Sequence, residues 1–530
     1  RLRLGRRGER EIQQDRETQG STYHRPSLAP HAAGPGAPGG VEHFVRRWAP
    51  SRGGMQFGRW LLVGSVVVAA SDAAEAQPAE LDGVFYVSPV AEPDGDGSRE
   101  APFRTLAAAQ AASAAGDTIH LLASDQIVDG AITLKPGQKL LGLASDGALA
   151  TDPDDRVRLT STAELPEGTV VALGGDNEIA GVHFEEMIGH AIAGHGVDYS
   201  GTFIHHATFE GNADEHIEDE RGQVYAVSFK ATLGVRYDVR IEDSLFRDGE
   251  DLGAIRVFQS GDSQGRYRFA RNEFYSLGGR PYFVRTRETS RVETVILDSV
   301  ADSIGRGNRN SDSIIPYLMG RSEQVMLVRN YRFDNTQQVG NRSSTGIEGY
   351  IFGSPRPDEA NWCDGCRLTL VIEDSVLRNA VTDPIQFSNS GLNSVLRYVI
   401  RDTEILGGTP RQGGGGISLN LQGDPDSAGS TTLLVEGTDV IGTDRFGVSI
   451  NNGGGGDALT VDLGGGPLGS RGGNRLLANE RGPLRLAPGW TIHAGGNWWG
   501  GDEPAVLGPD DQPSSHAEVL LDPILRDDPR

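Results

Sequence analysis

Between Arg236 and Asn452 apolar and polar residues alternate in short runs that recur along the chain. Val239-Arg-Ile-Glu-Asp-Ser-Leu-Phe246 is followed by Phe269-Ala-Arg-Asn-Glu-Phe274, Val295-Ile-Leu-Asp-Ser-Val-Ala301 and Leu327-Val-Arg-Asn-Tyr-Arg-Phe333. The series continues through Leu370–Leu377, Tyr398–Ile405 and Leu434–Val440. Aligned on the closing apolar residue, the steps are 28, 27, 32, 44, 28 and 35 residues. A fixed core with variable insertions at that period marks a solenoid. A second alternating run recurs in the same units, as Ala254–Phe258, Pro384–Phe387, Ile417–Leu421 and Phe446–Ile450. Period-two alternation puts Val239 with Ile241, and Ile417 with Leu419 and Leu421, on one face. One unit cannot bury that face alone, so the coils must stack with parallel strands. The pattern predicts an all-β protein, a right-handed parallel β-helix solenoid. The alternative is a β-propeller, which needs four strands and about 40–45 residues per blade.

Upstream of the repeats the pattern changes. Residues 84–121 read as a strand, a glycine-rich loop, a helix over Leu106–Ala115 and another strand, with Thr105 as N-cap and Gly116 as C-cap. A solenoid's open end needs such a cap. Lys135–Gly142 and Gly174–Phe184 read as opening coils, and Phe184 and Phe209, 25 residues apart, occupy the closing apolar position. The expected division is an N-terminal cap over 77–119, the β-helix over 120–490, and a C-terminal cap and tail over 491–530.

These segments carry a family resemblance. Tyr86-Val-Ser-Pro89, Pro102-Phe-Arg-Thr-Leu106 and Gly116-Asp-Thr-Ile119 at one end, with Gly496-Asn-Trp-Trp-Gly500 and Val519–Leu525 at the other, resemble the ends of secreted right-handed β-helix proteins of the pectin-lyase-like superfamily. The resemblance covers about residues 84–525 and implies the fold. Because that superfamily contains lyases, hydrolases, epimerases, adhesins and inert scaffolds, it implies no particular chemistry. Trp498 and Trp499 are expected to pack on the last coil, with stacking on sugar rings as the alternative.

Residues 1–54 hold ten arginines in an aperiodic Pro/Gly/Ala-rich setting and are expected to lie outside the native protein, as a gene-start artefact or a disordered tail. Residues 55–76 read as a signal peptide: a charged start at Met55, an apolar run Leu61–Ala70 and a small-residue site ending at Ala76. The alternative is a basic tail before a membrane anchor, but the run is well short of the roughly 20 residues a span needs. Beyond Ala76 the chain keeps 38 of its 49 basic and 66 of its 73 acidic residues, a net of −28. Such a surface repels nucleic acid and anionic lipid, so neither is an expected partner, and no membrane span is expected in the mature chain.

Export also bears on the two cysteines, Cys363-Asp-Gly-Cys366. A disulfide pinning their loop fits best. A redox CxxC lacks its βαβ context, and two thiolates make half a zinc site.

Candidate chemistry falls in two places. His183, His190, His195, His205, His206 and His216 crowd one stretch with Asp214, Glu215 and Glu220. Shifted by a 25-residue coil, His190 falls over Glu215 beside His216, and His195 over Glu220. His205 points outward. Stacked coils bring such groups within reach of a shared proton or a metal, so His190, His195, His205, His216 and Glu215 are the catalytic candidates. The competing reading is a solvated polar face.

The second place is an arginine face. Alternation puts Phe283, Arg285 and Arg287 on one side of their strand, with Arg256 on the preceding coil. Guanidinium groups beside an exposed aromatic suit a uronate or sulfated sugar. The competing reading is charge balance on an acidic surface. Ser388, Ser418, Asn420, Gln422, Ser449 and Asn451 form a neutral ladder further on. Calcium is the one cofactor to consider, as in pectate-lyase-like enzymes, although no stacked aspartate cluster accompanies the arginines. Asp94-Gly-Asp-Gly97 matches only the first half of a calcium loop. The expectation is a secreted protein that binds, and as a lyase or hydrolase cleaves, an extracellular polysaccharide. The alternative is a non-catalytic adhesin or envelope scaffold.

Overall fold

An alternating run has one apolar face, which is stable only when covered. The computed structural model describes residues 83–161, 169–211, 224–232, 234–249, 252–305, 312–335, 345–353, 362–410, 414–422, 426–452, 456–501, 504–508, 518–526 and 528. In it the runs stack into three sheets of parallel strands. Among the described residues the first sheet has 15 strands, from Val84–Val87 to Glu518–Leu520; the second has 12, from Val128–Asp129 to Arg475–Leu477; the third has 13, from Ile132–Thr133 to Val506–Leu507. One coil visits them in turn: Arg236–Glu242, Leu245–Arg247 and Leu252–Gln259, before Gln264–Ala270 opens the next. This is a parallel β-helix. Crossovers between parallel strands are right-handed in nearly all proteins, and the three sheets fit the right-handed form. A propeller blade would pair consecutive strands, whereas here each strand pairs with its equivalent one coil away. The proposed tail and signal segments, 1–54 and 55–76, lie outside the described residues. The stacked strands themselves reach into 77–119 and 491–530.

The register explains the sequence period. Phe246, Phe274, Ala301, Phe333, Leu377, Ile405 and Val440 are successive partners in the second sheet. All point into one continuous core. Phe184, Phe209, Phe246 and Phe274 stack with centroids 5.2, 4.5 and 5.0 Å apart. Burying each ring contributes about 2–3 kcal/mol relative to exposure.

The turn from the first sheet to the second is the same in every coil from His206–Ala207 to Gly437–Thr438: two residues, the first in the left-handed region. His206, Asp243, Arg271, Asp298, Asn330, Asp374, Asp402 and Gly437 have φ between 45 and 59°. For most side chains that conformation costs about 1–2 kcal/mol, and Gly, Asn and Asp tolerate it best. The second residue turns inward, where a polar side chain accepts the amide of its neighbour one coil earlier. Ser244 Oγ accepts from the Ala207 amide at 3.3 Å, Asn272 Oδ1 from Ser244 at 3.2 Å and Ser299 Oγ from Asn272 at 3.2 Å. Ser375 and Asn474 do the same for Tyr331 and Thr438, at 3.2 and 2.9 Å.

The helix runs from Leu106 to Ala112, one turn shorter than its sequence suggests. Thr105 Oγ1 accepts from the Ala108 amide as the N-cap, while Ser113, not Gly116, ends the helix because its amide donates to the Ala109 carbonyl. Gly116 instead takes a positive φ of 85° in the following turn. Leu106 and Ala109 are buried in the core, and the helix packs on the end strands Val84–Val87 and Ile132–Thr133. At the other end Trp499 is buried in the same core.

The inward ladder is expected to matter more than the left-handed corner. Asn272→Ala should lower unfolding free energy by about 2–3 kcal/mol in urea melts, because the Ser244 amide loses its acceptor and the Ile241 carbonyl a donor. Asp298→Gly should change it by less than about 1 kcal/mol. Equal losses would contradict this ranking.

Candidate functional site

Loop length distinguishes one side of the solenoid. The first-to-second corner never departs from two residues between His205 and Asp439. The connections on either side of the third sheet vary: 13 residues between Glu210 and Val224, 11 between Asp302 and Ile314, 12 between Asp334 and Ile347 and 15 between Ile351 and Arg367. A rigid face flanked by variable loops is where binding sites arise.

On that face the outward residues form two columns. One runs Ser228, Arg256, Phe283 and Ile315; further along, Gln386, Ser418, Ser449 and Arg485 continue the same side. The other begins His195, Lys230, Phe258, Arg285, Tyr317 and Tyr350, then turns neutral with Ser388, Asn420 and Asn451. His195 therefore shares a face with the arginine candidates. His190 Nδ1 donates to the Tyr225 carbonyl at 2.7 Å, and its ring meets that of His195 edge-on at 5.3 Å. Ser228 Oγ accepts from Arg256 Nε and Nη2 at 3.1 and 2.9 Å. Ser228 Oγ also lies 2.8 Å from His195 Nε2, at hydrogen-bonding distance.

Arginines and aromatic rings alternate around this group. Arg256 lies over Tyr225 (5.3 Å), Arg280 over Phe283 (5.2 Å), Arg285 over Phe258 and Tyr317 (5.2 and 5.7 Å), and Arg287 over Phe258 (4.9 Å). Burial works against the Arg280 charge, yet Tyr225, Asp312 and Glu348 hold its pKa above the ordinary value. Asp312 faces Arg280 at 3.8 Å and accepts the Thr345 amide. Among the described residues no group of three His, Cys, Asp or Glu is placed to hold a metal.

Several expectations need correction. The 25-residue shift holds in the second sheet, where Phe184 pairs with Phe209, but fails in the third, where His195 pairs with Lys230, 35 residues on. The 13-residue connection between Glu210 and Val224 absorbs the difference. His216 and Glu215 fall in that connection and lie outside the described residues. His205 does not join His190 and His195. It sits on the first sheet, where Nε2 meets Glu178 Oε1 at 3.2 Å and Nδ1 meets His206 Nδ1 at 2.8 Å. His183 is separate again, on the second sheet at 3.1 Å from Glu210. Phe283 is not an exposed platform. It is 1% exposed and packs with Tyr225, Ile315, Tyr317 and Met319 in an apolar cluster apart from the main core. Alternation identified its face but could not show what lies above it.

Sequence reasoning missed Ser228, Tyr225 and Arg280; their register becomes visible only when the third-sheet strands are aligned. In the neutral ladder Asn451 Nδ2 donates to Asn420 Oδ1 at 2.8 Å, and Ser418 Oγ donates to Asp383 at 2.6 Å. The rungs partly satisfy one another. Cys363 and Cys366 are buried and disulfide-paired, with Cα atoms 5.7 Å apart, in the 15-residue connection.

No protein-family model matches the chain, and no curated protein matches it. Solved structures with a similar course include a GH136 lacto-N-biosidase from Eubacterium ramulus, at 11% identity over 71% of this chain and 67% of that one, with a TM-score of 0.37. The catalytic domain of a GH87 α-1,3-glucanase in complex with nigerose gives 12% over 64% and 61%, with a TM-score of 0.34. Pectate lyase Pel9A gives 12% over 61% and 75%, with a TM-score of 0.31. At these values the fold stands on the strand register itself, and nothing about chemistry follows.

Breaking the cysteine pair should have a local effect. The bond closes a short loop, so Cys363→Ser with Cys366→Ser should shift global stability by less than about 2 kcal/mol and speed amide exchange mainly over residues 352–366. Free thiols on both residues in unreduced peptides of the protein would contradict the pairing.

Proposed function

We propose that this is an exported β-helix protein whose third-sheet face binds an extracellular polysaccharide. The carrying observation is that variable connections flank this sheet while, from His205 to Asp439, the opposite corner stays at two residues. The face has a cationic half, Lys230, Arg256, Arg285 and Arg287, and a neutral amide and hydroxyl half, Ser388, Asn420 and Asn451. On a chain of net charge −24, a cationic face favours an anionic sugar, with guanidinium groups on carboxylate or sulfate oxygens. The neutral rungs suit sugar hydroxyls. Helix Leu106–Ala112 is proposed to cover the open end of the core, consistent with its buried Leu106 and Ala109. Among the described residues no helix is long and apolar enough to cross a membrane.

Cleavage, by a lyase or a hydrolase, is the extension of this reading. The Ser228–His195 pair, with Arg256 on the Ser228 oxygen, is the titratable group it would draw on. A non-catalytic scaffold is the second reading, favoured by the burial of Tyr225, Phe283 and Tyr317. Both readings can be separated by screening polyuronates, sulfated glycans and neutral glucans for binding, new reducing ends and unsaturated products, with and without calcium.

Binding should be strongest for an anionic polymer. Arg285→Gln should weaken it roughly tenfold, about 1.4 kcal/mol, and Asn420→Ala less. Calorimetry showing no preference for anionic polymers, or no effect of Arg285→Gln, would remove the cationic half from the site.

A further inference from the structure

The two outward columns of the third sheet change character at Glu348. It follows Ile315 in register and precedes Gln386, because Ile314 pairs with Ile347 and Glu348 with Gln386. Among the described residues it is the only carboxylate in either column. Before it lie Lys230, Arg256 and Arg285; after it come Gln386, Ser388 and Asn420. One coil separates the cations from Glu348. There Ile315 and Tyr317 are each 3% exposed, so the accessible face divides at that coil.

The Glu348 charge is incompletely balanced. It acts on Arg280 as an anion, but so does Asp312, whose Oδ2 lies 3.8 Å from Arg280 Nε. Two carboxylates share one guanidinium and keep a net negative charge. Gln386 Nε2 reaches Glu348 Oε1 at 3.4 Å, a contact that orients the carboxylate without neutralising it. On the same strand the Tyr350 ring lies parallel to Tyr317, with centroids 5.0 Å apart, and stays partly exposed. The face of an aromatic ring is the negative side of its quadrupole. Carboxylate and ring therefore act together. Both repel an anionic group, and both suit a neutral sugar, with its C–H bonds on the ring and a hydroxyl donating to the carboxylate.

The next rungs are uncharged. Gln386 Nε2 donates to Ser388 Oγ at 2.9 Å, which leaves the Ser388 proton for another acceptor. Arg485, 8% exposed, donates to Asn451 Oδ1, and Asn451 Nδ2 donates to Asn420 Oδ1 at 2.8 Å. With its oxygen used as acceptor, Asn420 offers its N–H groups as donors. Neutral donors beside one carboxylate acceptor match a run of sugar hydroxyls.

We propose that Glu348 makes this face selective for a mixed glycan, an anionic segment joined to a neutral one. The anionic groups lie on the coils of Lys230, Arg256 and Arg285 and are excluded from the coil of Glu348 and Tyr350. This rests on the reading of the third-sheet face as a polysaccharide site and narrows its ligand. Neighbouring coils are about 4.8 Å apart, so Arg285 and Tyr350 are separated by roughly 10 Å. Repulsion over that distance is largely screened at physiological ionic strength, where the Debye length is about 8 Å. A sugar carboxylate over Arg285 is thus tolerated, whereas one carried on to Glu348 meets it at contact. Such repulsion discriminates against a uniform polyanion without weakening the mixed chain.

Calorimetry of the full chain at physiological salt tests this with two forms of one polyuronate, fully ionised and partly methyl-esterified in blocks. Wild type should bind the esterified form roughly tenfold more tightly. Glu348→Gln, which keeps the shape and removes the charge, should abolish that preference by tightening the ionised form, with the esterified form bound as before. Glu404→Gln removes the same charge from the second sheet, where Glu404 faces Arg378, and should leave the preference in place. A preference that survives Glu348→Gln, or one lost equally in Glu404→Gln, overturns the proposal. Equal binding of both forms by wild type, still weakened by Arg285→Gln, removes the selectivity and leaves the polysaccharide face standing. Binding of neither form removes both.

Discussion

Ser244, Asn272, Ser299, Ser375 and Asn474 take amide hydrogens that a two-residue corner would otherwise bury without partners. An unmet buried amide costs on the order of 1–3 kcal/mol, and a solenoid repeats the problem at every coil. Solving it with one left-handed residue and one inward polar side chain fixes where the chain leaves the first sheet and enters the second. The core stack from Phe184 to Val440 follows, because the residue two places beyond the inward polar one always faces inside. In the last coils the corner lengthens to the ten residues between Gly464 and Arg475, and the task passes to Asp462. That carboxylate, fully buried, accepts the amides of Gly464, Gly466, Leu468 and Ser470 at 3.0–3.2 Å.

From His205 to Asp439 this corner holds no insertion, and variation falls at the edges of the third sheet. That accounts for the position of the candidate site better than the residue types do. Arginine, histidine and carboxylate groups also line the other sheets, where they pair across coils, as Arg271 does with Glu242 and Asp243 or Arg329 with Glu373. Each such exposed pair contributes little. On the third sheet cations, aromatic rings and hydroxyl groups meet beside connections of variable length.

The fold was legible because its signal is periodic. The steps 28, 27, 32, 44, 28 and 35 in the sequence are the register steps of the second sheet. The site was legible only in part. Placing Phe283, Arg285 and Arg256 on one face needed alternation alone, and alternation is local. Placing His195 needed the coil length on the third sheet, which differs from that on the second by the insertion between Glu210 and Val224. A shift of ten residues hid Lys230, and with it Ser228, behind a correct 25-residue step from Phe184 to Phe209. Burial of Phe283 was out of reach for the same reason, since nothing local shows what covers a face.

The central claim is that the third sheet, not another face, meets the polysaccharide. A competing place exists on the first sheet, where Arg236, Gln264, Arg266, Arg291, Glu293 and Glu323 line a cleft of about 200 Å³. Amide-exchange footprinting of the full chain with a saturating polyuronate compares them directly. Protection confined to Val224–Ala231, Leu252–Gln259, Tyr282–Thr286 and the third-sheet strands beyond them is the predicted result. Protection of Arg236–Glu242, Gln264–Ala270 and Arg291–Leu297 instead would contradict it.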